Sequence, residues 1–184
     1  MDLLRRAGLQ FERHRKHGMS TLRFGELLVS SGLVLSDRVK WITFHSGYDF
    51  GYLLKILTGA PMPATQDGFF ELLHLFFPVV YDVKHLISSV GSLHGGLNRI
   101  ASELGVDRVG PVHQAGSDSL VTALVFFQLR ERLLADTLRD ARAIGRLFGL
   151  SDVASGRACD RVQARKSALH EGGRWAARAG KTGS

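Results

Sequence analysis

The chain has 184 residues, of which 45% are hydrophobic and 22% are charged, and it carries a formal net charge of +7. This length and composition predict one globular domain, with or without a tail, and exclude a disordered protein. The one cysteine, Cys159, excludes an intramolecular disulfide and a cysteine-rich zinc site, and without a run of about 18 apolar residues we expect no membrane-spanning helix.

Apolar residues in the first half of the chain alternate between helical and strand periods. The pattern predicts a helix at residues 22–31, a strand at 39–44 and a second helix at 48–57. A third helix is predicted at 67–75, with Asp67 as its N-cap.

The second half of the chain continues this alternation. The pattern predicts a strand at 79–83, a helix at 97–104, a short extended segment at 106–112, the longest helix at 117–134 and a last helix at 136–148. Strands that alternate with helices indicate an α/β fold with a parallel sheet. Because two strands alone do not make a stable parallel sheet, further strands are either hidden in the irregular regions or absent from this chain.

The last 34 residues, 151–184, differ from the rest of the chain. They hold seven of the 24 Lys and Arg residues but only three of the 17 Asp and Glu residues, so more than half of the net positive charge lies there. Their glycines and alanines form no sustained apolar face, which predicts a disordered tail after a folded part at residues 1–150. The charge of this tail either attracts RNA phosphates non-specifically or is simply solvated.

The first candidate site is the string FHSGYDFG at residues 44–51. It follows a predicted strand and opens a helix, and ligands bind at the carboxyl ends of strands in α/β folds. Asp49 can therefore face a metal ion or a substrate. The alternative is that Asp49 only caps the helix or complements its dipole.

The second candidate site is the string HQAGSDS at residues 113–119. His113 and Asp118 can converge only if His113 lies in the loop before the helix and Asp118 lies in its first turn, and Gly116 would permit that bend. The pair would then act as a general base beside a metal-bound carboxylate. The alternative is a helix cap next to a loop histidine.

Several long strings, taken together, carry a family resemblance. WITFHSGYDFGYLLKIL, FFELLHLFFPVVYDVKHL, SLHGGLNRIASELGVDRVG and HQAGSDSLVT occur in this order, and RFGELLVSSGLVL precedes them. Over residues 2–150 the chain closely resembles the Caf/Pop-type poly(A) deadenylases, the nuclease subunits of the Ccr–Not complex.

The resemblance implies a ribonuclease-H-like fold of the DEDD exonuclease class, in its histidine variant. In that family four carboxylates hold two divalent metal ions, Mg²⁺ or Mn²⁺, and the substrate is the 3′ poly(A) tail of mRNA. By resemblance Asp49 is the third carboxylate, Asp118 is the fourth, and His113 positions or deprotonates the attacking water. The implied partners are the scaffold and the second deadenylase subunit of the Ccr–Not complex, in the cytoplasm and the nucleus.

The chain departs from the family at the first two carboxylates. The family takes them from an Asp-x-Glu pair on its first strand, and this sequence contains no Asp-x-Glu. We therefore expect an N-terminally truncated, incomplete fold that lacks the first strands and is inactive as it stands. Two alternatives stay open, a non-catalytic interaction module of the complex and an unstable gene fragment.

Overall fold

The computed structural model describes residues 2–88, 93–132 and 143–150. Its helices and strands are, in chain order, α1 (Asp2–Arg6), α2 (Phe11–His17), α3 (Thr21–Ser30), β1 (Trp41–Thr43), α4 (Gly47–Thr58), α5 (Gln66–Phe76), β2 (Val80–Asp82), α6 (Val83–Ser88), α7 (Leu97–Glu103) and α8 (Ala115–Arg132). None of the described helices is long and apolar enough to span a bilayer. The predicted tail, 151–184, lies outside the described residues.

The two strands pair in parallel and form the sheet of the described chain. Both lie where the sequence predicts strands, at 39–44 and 79–83, and their register sets Thr43 opposite Asp82. Because the strands are parallel, their carboxyl ends meet at one edge of the sheet. This edge is where the candidate site residues are expected.

Helices cover both faces of this sheet. Neighbouring residues of β2 point to opposite sides, and the residues on each side pack against different helices. Tyr81 packs into one core cluster with residues of α6, α7 and α8, among them Val83 and Ile100. Val80 packs into a second cluster with residues of α4 and α5, among them Leu54 and Phe70. The predicted α/β arrangement is thus confirmed, with the short sheet between two helical layers.

The long predicted helices are confirmed as α3, α4, α5, α7 and α8, with small shifts of their ends. The short helices α1, α2 and α6 were not predicted. No residue of α1 or α2 is buried. Neither helix therefore has the buried apolar face whose spacing predicts a helix from sequence. Helix α6 follows β2 without an intervening turn, which hides its start.

The predicted N-cap of α5 is wrong by two residues. The oxygen that accepts a backbone hydrogen bond at this helix start is Oγ1 of Thr65, 3.2 Å from the N–H of Gly68, and Asp67 lies in the first turn. Thr65 has the extended backbone that an N-cap requires, so its hydroxyl reaches the third residue along.

The last predicted helix, 136–148, is corrected in its described part, since residues 143–150 form no α-helix. Gly145 has a left-handed backbone with φ of 73°, and its N–H donates to the carbonyl of Val80 on β2 at 2.9 Å. Leu147 is fully buried in the second core cluster. Tertiary contacts therefore override a helical period here, and the start of the predicted helix lies outside the described residues.

Candidate functional site

A cleft of about 1040 Å³ opens at the carboxyl end of β1. Its walls come from the β1–α4 junction, the start of α7, the connection from α7 to α8 and the first turns of α8. The side chains that line it include Asp49, His113 and Asp118, so the three residues predicted from the sequence lie in one cleft. Residues that are more than 60 positions apart in the sequence thus line the same cleft.

Asp49 reaches the cleft from the first turn of α4. The junction before this helix is a tight turn in which His45 has a left-handed backbone, with φ of 57°. The hydroxyls of Thr43 and Ser46 lie 2.7 Å apart across the turn. Ser46 makes no side-chain cap bond to α4, so the turn depends on other contacts.

A buried carboxylate, Asp82, supplies those contacts. It is 0% exposed and accepts hydrogen bonds from four backbone N–H groups. Two come from His45 and Ser46 at 2.7 and 3.2 Å, one from Lys84 at 3.0 Å and one from Phe148 at 3.2 Å. Asp82 therefore ties the β1–α4 junction to the end of β2 and to the segment 143–150.

His113 lies in the connection before α8, and Asp118 lies in the first turn of that helix. This is the arrangement that their spacing requires for convergence. The bend falls on His113 itself, which has φ of 63°, whereas Gly116 lies within α8. The next residue, Gln114, anchors the connection by donating from Nε2 to the carbonyl of Ala7 at 2.6 Å.

The carboxylate of Asp118 forms an ion pair that the sequence does not reveal. Nη1 of Arg108 lies 2.8 Å from Oδ1 of Asp118 and 2.8 Å from Oγ of Ser117. Nε of the same guanidinium donates to Oδ1 of Asn98 at 3.1 Å. Arg108 lies in the irregular 106–112 segment, where no periodicity points to a partner.

The described residues do not by themselves fit a two-metal centre. Among them no group of three or more His, Cys, Asp and Glu side chains is arranged to hold a metal ion. The carboxylates that line the cleft are Asp49 and Asp118, and Asp118 is already paired with Arg108. The chemistry of this part of the chain is therefore that of a partly acidic cleft with an exposed imidazole at His113.

Comparison with known proteins shows the family of the chain. The family model described as CAF1 family ribonuclease matches residues 9–126. The chain is 51% identical over 150 residues to probable CCR4-associated factor 1 homolog 7 of Arabidopsis thaliana, covering 82% of this chain and 54% of that protein. It is 45% identical over 155 residues to poly(A) ribonuclease pop2 of Schizosaccharomyces pombe, covering 84% of this chain and 46% of that protein. The chain thus spans about half the length of the curated relatives it matches.

Solved structures agree with the sequence comparison. The Mg²⁺- and Mn²⁺-bound form of S. pombe Pop2p matches with a TM-score of 0.76 and 47% identity, over 80% of this chain and 58% of that chain. The structure of the yeast NOT1 MIF4G domain co-crystallised with CAF1 matches with a TM-score of 0.66 and 31% identity, over 77% of this chain and 58% of that chain. The predicted ribonuclease-H-like fold and the resemblance to Caf/Pop-type deadenylases are confirmed: the chain belongs to the CAF1 family of ribonucleases.

Proposed function

We propose that the cleft is part of the active site of a poly(A)-specific 3′–5′ exoribonuclease, which shortens the 3′ poly(A) tails of mRNA. The observation that supports this most is the meeting of Asp49, His113 and Asp118 in one cleft, at the end of β1, in a chain of the CAF1 family. A relative that is 45% identical is named a poly(A) ribonuclease.

In this proposal the three side chains have distinct roles. Asp49 and Asp118 would be two of the four carboxylates that hold Mg²⁺ or Mn²⁺ in a complete site, because both ions prefer oxygen ligands. The imidazole of His113 takes a proton from the water that attacks the phosphodiester, since a neutral ring nitrogen can accept one. His113 is exposed and has a left-handed backbone, so its imidazole is accessible to solvent water.

The remaining two carboxylates define the main test. Because the sequence contains no Asp-x-Glu, we expect the purified 184-residue chain not to shorten a 3′ oligo(A) RNA in Mg²⁺ or Mn²⁺ on a sequencing gel. Fusion to an N-terminal segment that supplies an Asp-x-Glu pair, taken from a full-length relative, should give stepwise shortening. The Asp118→Asn variant of that fusion is the control and should be inactive.

Two results contradict the proposal. If the fusion folds and does not shorten oligo(A), the cleft is not the active site of a deadenylase. Shortening that persists unchanged in both Asp49→Asn and Asp118→Asn places the activity elsewhere. Shortening by the chain alone that Asp118→Asn abolishes would keep the proposed site and refute only the predicted inactivity.

A non-catalytic interaction module is the second candidate function. CAF1 was co-crystallised with the MIF4G domain of yeast NOT1, which supports a scaffold subunit of the Ccr–Not complex as a partner of this chain. We propose the second deadenylase subunit as a further partner, and the cytoplasm and nucleus as the location. Binding to a purified MIF4G domain, measured by calorimetry, should be equal for the wild type and Asp118→Asn. Absence of binding by folded chain refutes this candidate.

A further inference from the structure

We propose that a basic arm, the helix pair α1 and α2 at residues 2–18, binds the phosphate backbone of single-stranded RNA beside the cleft. The inference rests on the proposed function in one respect, since it takes the cleft as the site that an RNA strand enters. It assigns a binding surface outside the cleft, which the roles of Asp49, His113 and Asp118 do not address.

The first argument is the charge of the basic arm. The arm holds five Lys and Arg residues and only two Asp and Glu residues. Its two carboxylates pair with Arg5 at 3.5 Å and with Arg15 at 2.8 Å. No carboxylate of the described residues pairs with the other three cations, which are Arg6, Arg13 and Lys16. These three charges are therefore available to an anionic partner.

The second argument is that the arm presents these cations on an ordered surface. No residue of α1 or α2 is buried, so no role in the core explains their side chains. Arg13 and Lys16 are three residues apart in α2, and this spacing makes them neighbours on the helix surface. The guanidinium of Arg5 lies 5.8 Å from the centre of the Phe11 ring, which holds the start of α2 against α1.

The third argument is the place where the arm is attached. Nε2 of Gln114 donates to the carbonyl of Ala7, in the connection between α1 and α2, at 2.6 Å. Gln114 lies between His113 and Ala115, and both of these residues line the cleft. Helix α2 begins four residues after Ala7, so its start lies within about 14 Å of this anchor. An RNA strand that leaves the cleft past His113 can therefore reach the arm.

The fourth argument is that the cleft itself offers little free positive charge. Its two arginines already face carboxylates, since Arg108 lies 2.8 Å from Asp118 and Arg99 lies 2.7 Å from Glu103. The carboxylate of Asp49 adds a negative charge to the lining. Sequence-independent affinity for a nucleic acid comes from Lys and Arg side chains that neutralise phosphates. The basic arm supplies such side chains next to the cleft.

The experiment measures the binding of fluorescein-labelled oligo(A) RNA to the full chain by fluorescence anisotropy, in EDTA and at several salt concentrations. The arm variant carries Arg6→Gln, Arg13→Gln and Lys16→Gln. Each phosphate contact of a single strand contributes about 0.7 to the slope of log affinity against log salt concentration, so the arm variant should have a slope shallower by about 2. Between 50 and 200 mM salt, the wild type should therefore lose about 10- to 20-fold more affinity than the arm variant.

The opposite end of the sheet provides a matched control variant. Arg38 and Lys40 precede β1 at its amino end, whereas the cleft lies at its carboxyl end. Lys55 lies in the last turn of α4, and Asp49 lies in the first turn of that helix. Replacing these three exposed cations by Gln removes the same charge as the arm variant and should leave the slope close to that of the wild type. Residues 151–184 are unchanged in every variant, so their charge contributes equally.

Two further variants separate charge from structure. Arg13→Lys combined with Lys16→Arg keeps both charges and should bind RNA like the wild type, because a phosphate contact of this kind needs only a cation. Arg13→Gln alone covers the case in which the arm variant does not fold, as judged by circular dichroism. Its slope should be shallower by about 0.7.

Three results overturn the inference. The first is an equal slope for the wild type, the arm variant and the control variant, including no measurable RNA binding by any of them. The second is a loss of RNA binding in the charge-conserving variant, because the arm would then act through its structure. The third is an arm variant that keeps its RNA affinity but loses binding to vesicles of phosphatidylserine and phosphatidylcholine, because the arm would then contact a membrane.

This outcome is separable from that of the proposed function. The anisotropy measurement is made in EDTA and requires no poly(A) shortening. A fusion that shortens oligo(A), together with an unchanged slope for the arm variant, refutes the RNA-binding arm and retains the nuclease. A shallower slope for the arm variant, together with a fusion that does not shorten oligo(A), supports the arm and refutes the nuclease.

Discussion

Asp82 and Asp118 are both carboxylates near the carboxyl end of the same short sheet, yet their surroundings differ. Asp82 is 0% exposed and is surrounded by four backbone N–H donors. Asp118 is 37% exposed, faces the cleft and is held by the side chain of Arg108. Backbone donors cannot leave without unfolding the local structure, whereas a guanidinium on a flexible stem can.

The difference separates a carboxylate buried within the framework from one that borders the cleft. A buried charge is tolerated only when its hydrogen bonds are complete, and the bonds of Asp82 join three segments of the chain. It therefore belongs to the framework that positions Asp49 at the start of α4. Asp118 belongs to the cleft, where it is partly open to solvent and paired with a side chain.

The largest expected effect tests this difference directly. Asp82→Asn exchanges one acceptor oxygen for an NH₂ group, so two charge-assisted hydrogen bonds are lost at about 1.5 kcal/mol each. We expect the free energy of unfolding, measured in urea, to fall by about 3 kcal/mol. The same exchange at Asp118 is the matched control, and it should cost at most about 1 kcal/mol. Equal losses at the two positions would show that burial does not distinguish them.

The strongly periodic elements and the residues of the cleft could be predicted from the sequence, and the tertiary partners could not. Asp49, His113 and Asp118 became candidates because each lies in a recognisable string at a strand or loop-to-helix boundary, and the structure places all three in the lining of one cleft. The partners of Asp82 lie 37 and 66 residues away in His45 and Phe148, beyond any local pattern. No spacing rule reports such contacts.

One wrong prediction and one missed contact have the same physical origin. The apolar residues near Leu147 fit a helical period, but the backbone bond of Gly145 to β2 and the burial of Leu147 hold the segment in turns. The ion pair of Arg108 with Asp118 crosses an irregular connection, where neither helix nor strand spacing applies. Local preference decides a structure only where tertiary contacts do not oppose it.

A smaller change in the free energy of unfolding is expected at the start of α5. As at Asp82, a side-chain oxygen accepts from a backbone N–H, but here the oxygen, Oγ1 of Thr65, is exposed to solvent. Thr65→Ala removes the hydroxyl that accepts from Gly68, so we expect a loss of about 1 kcal/mol in the free energy of unfolding. Asp67→Asn, in the first turn of the same helix, affects only the interaction with the helix dipole and should cost less. A larger loss from Asp67→Asn, measured by urea unfolding, would restore Asp67 as the cap.

The smallest effect concerns Tyr81, the neighbour of Asp82 on β2, and appears only at alkaline pH. Burial raises the pKa of the Tyr81 phenol, because the charged phenolate is poorly solvated in the core. Above the ordinary tyrosine pKa of about 10, the unfolded chain releases this proton while the folded chain retains it. The contribution of Tyr81 to stability is therefore complete below that pH and is lost as the pH rises through the folded pKa.

Tyr81→Phe keeps the ring that packs 5.4 Å from Phe126 and removes the group that titrates. We expect the free energy of unfolding of this variant to increase relative to that of the wild type as the pH rises above about 10. Near neutral pH the difference between the two proteins should not change with pH. Tyr52→Phe, on an exposed ring, is the control for the loss of a tyrosine hydroxyl outside the core. Urea unfolding at several pH values measures all three proteins. If the free energies of unfolding of Tyr81→Phe and the wild type change with pH in the same way, the hydroxyl of Tyr81 is in contact with water. Burial on β2 would then exclude water from the carboxylate of Asp82 but not from its neighbour.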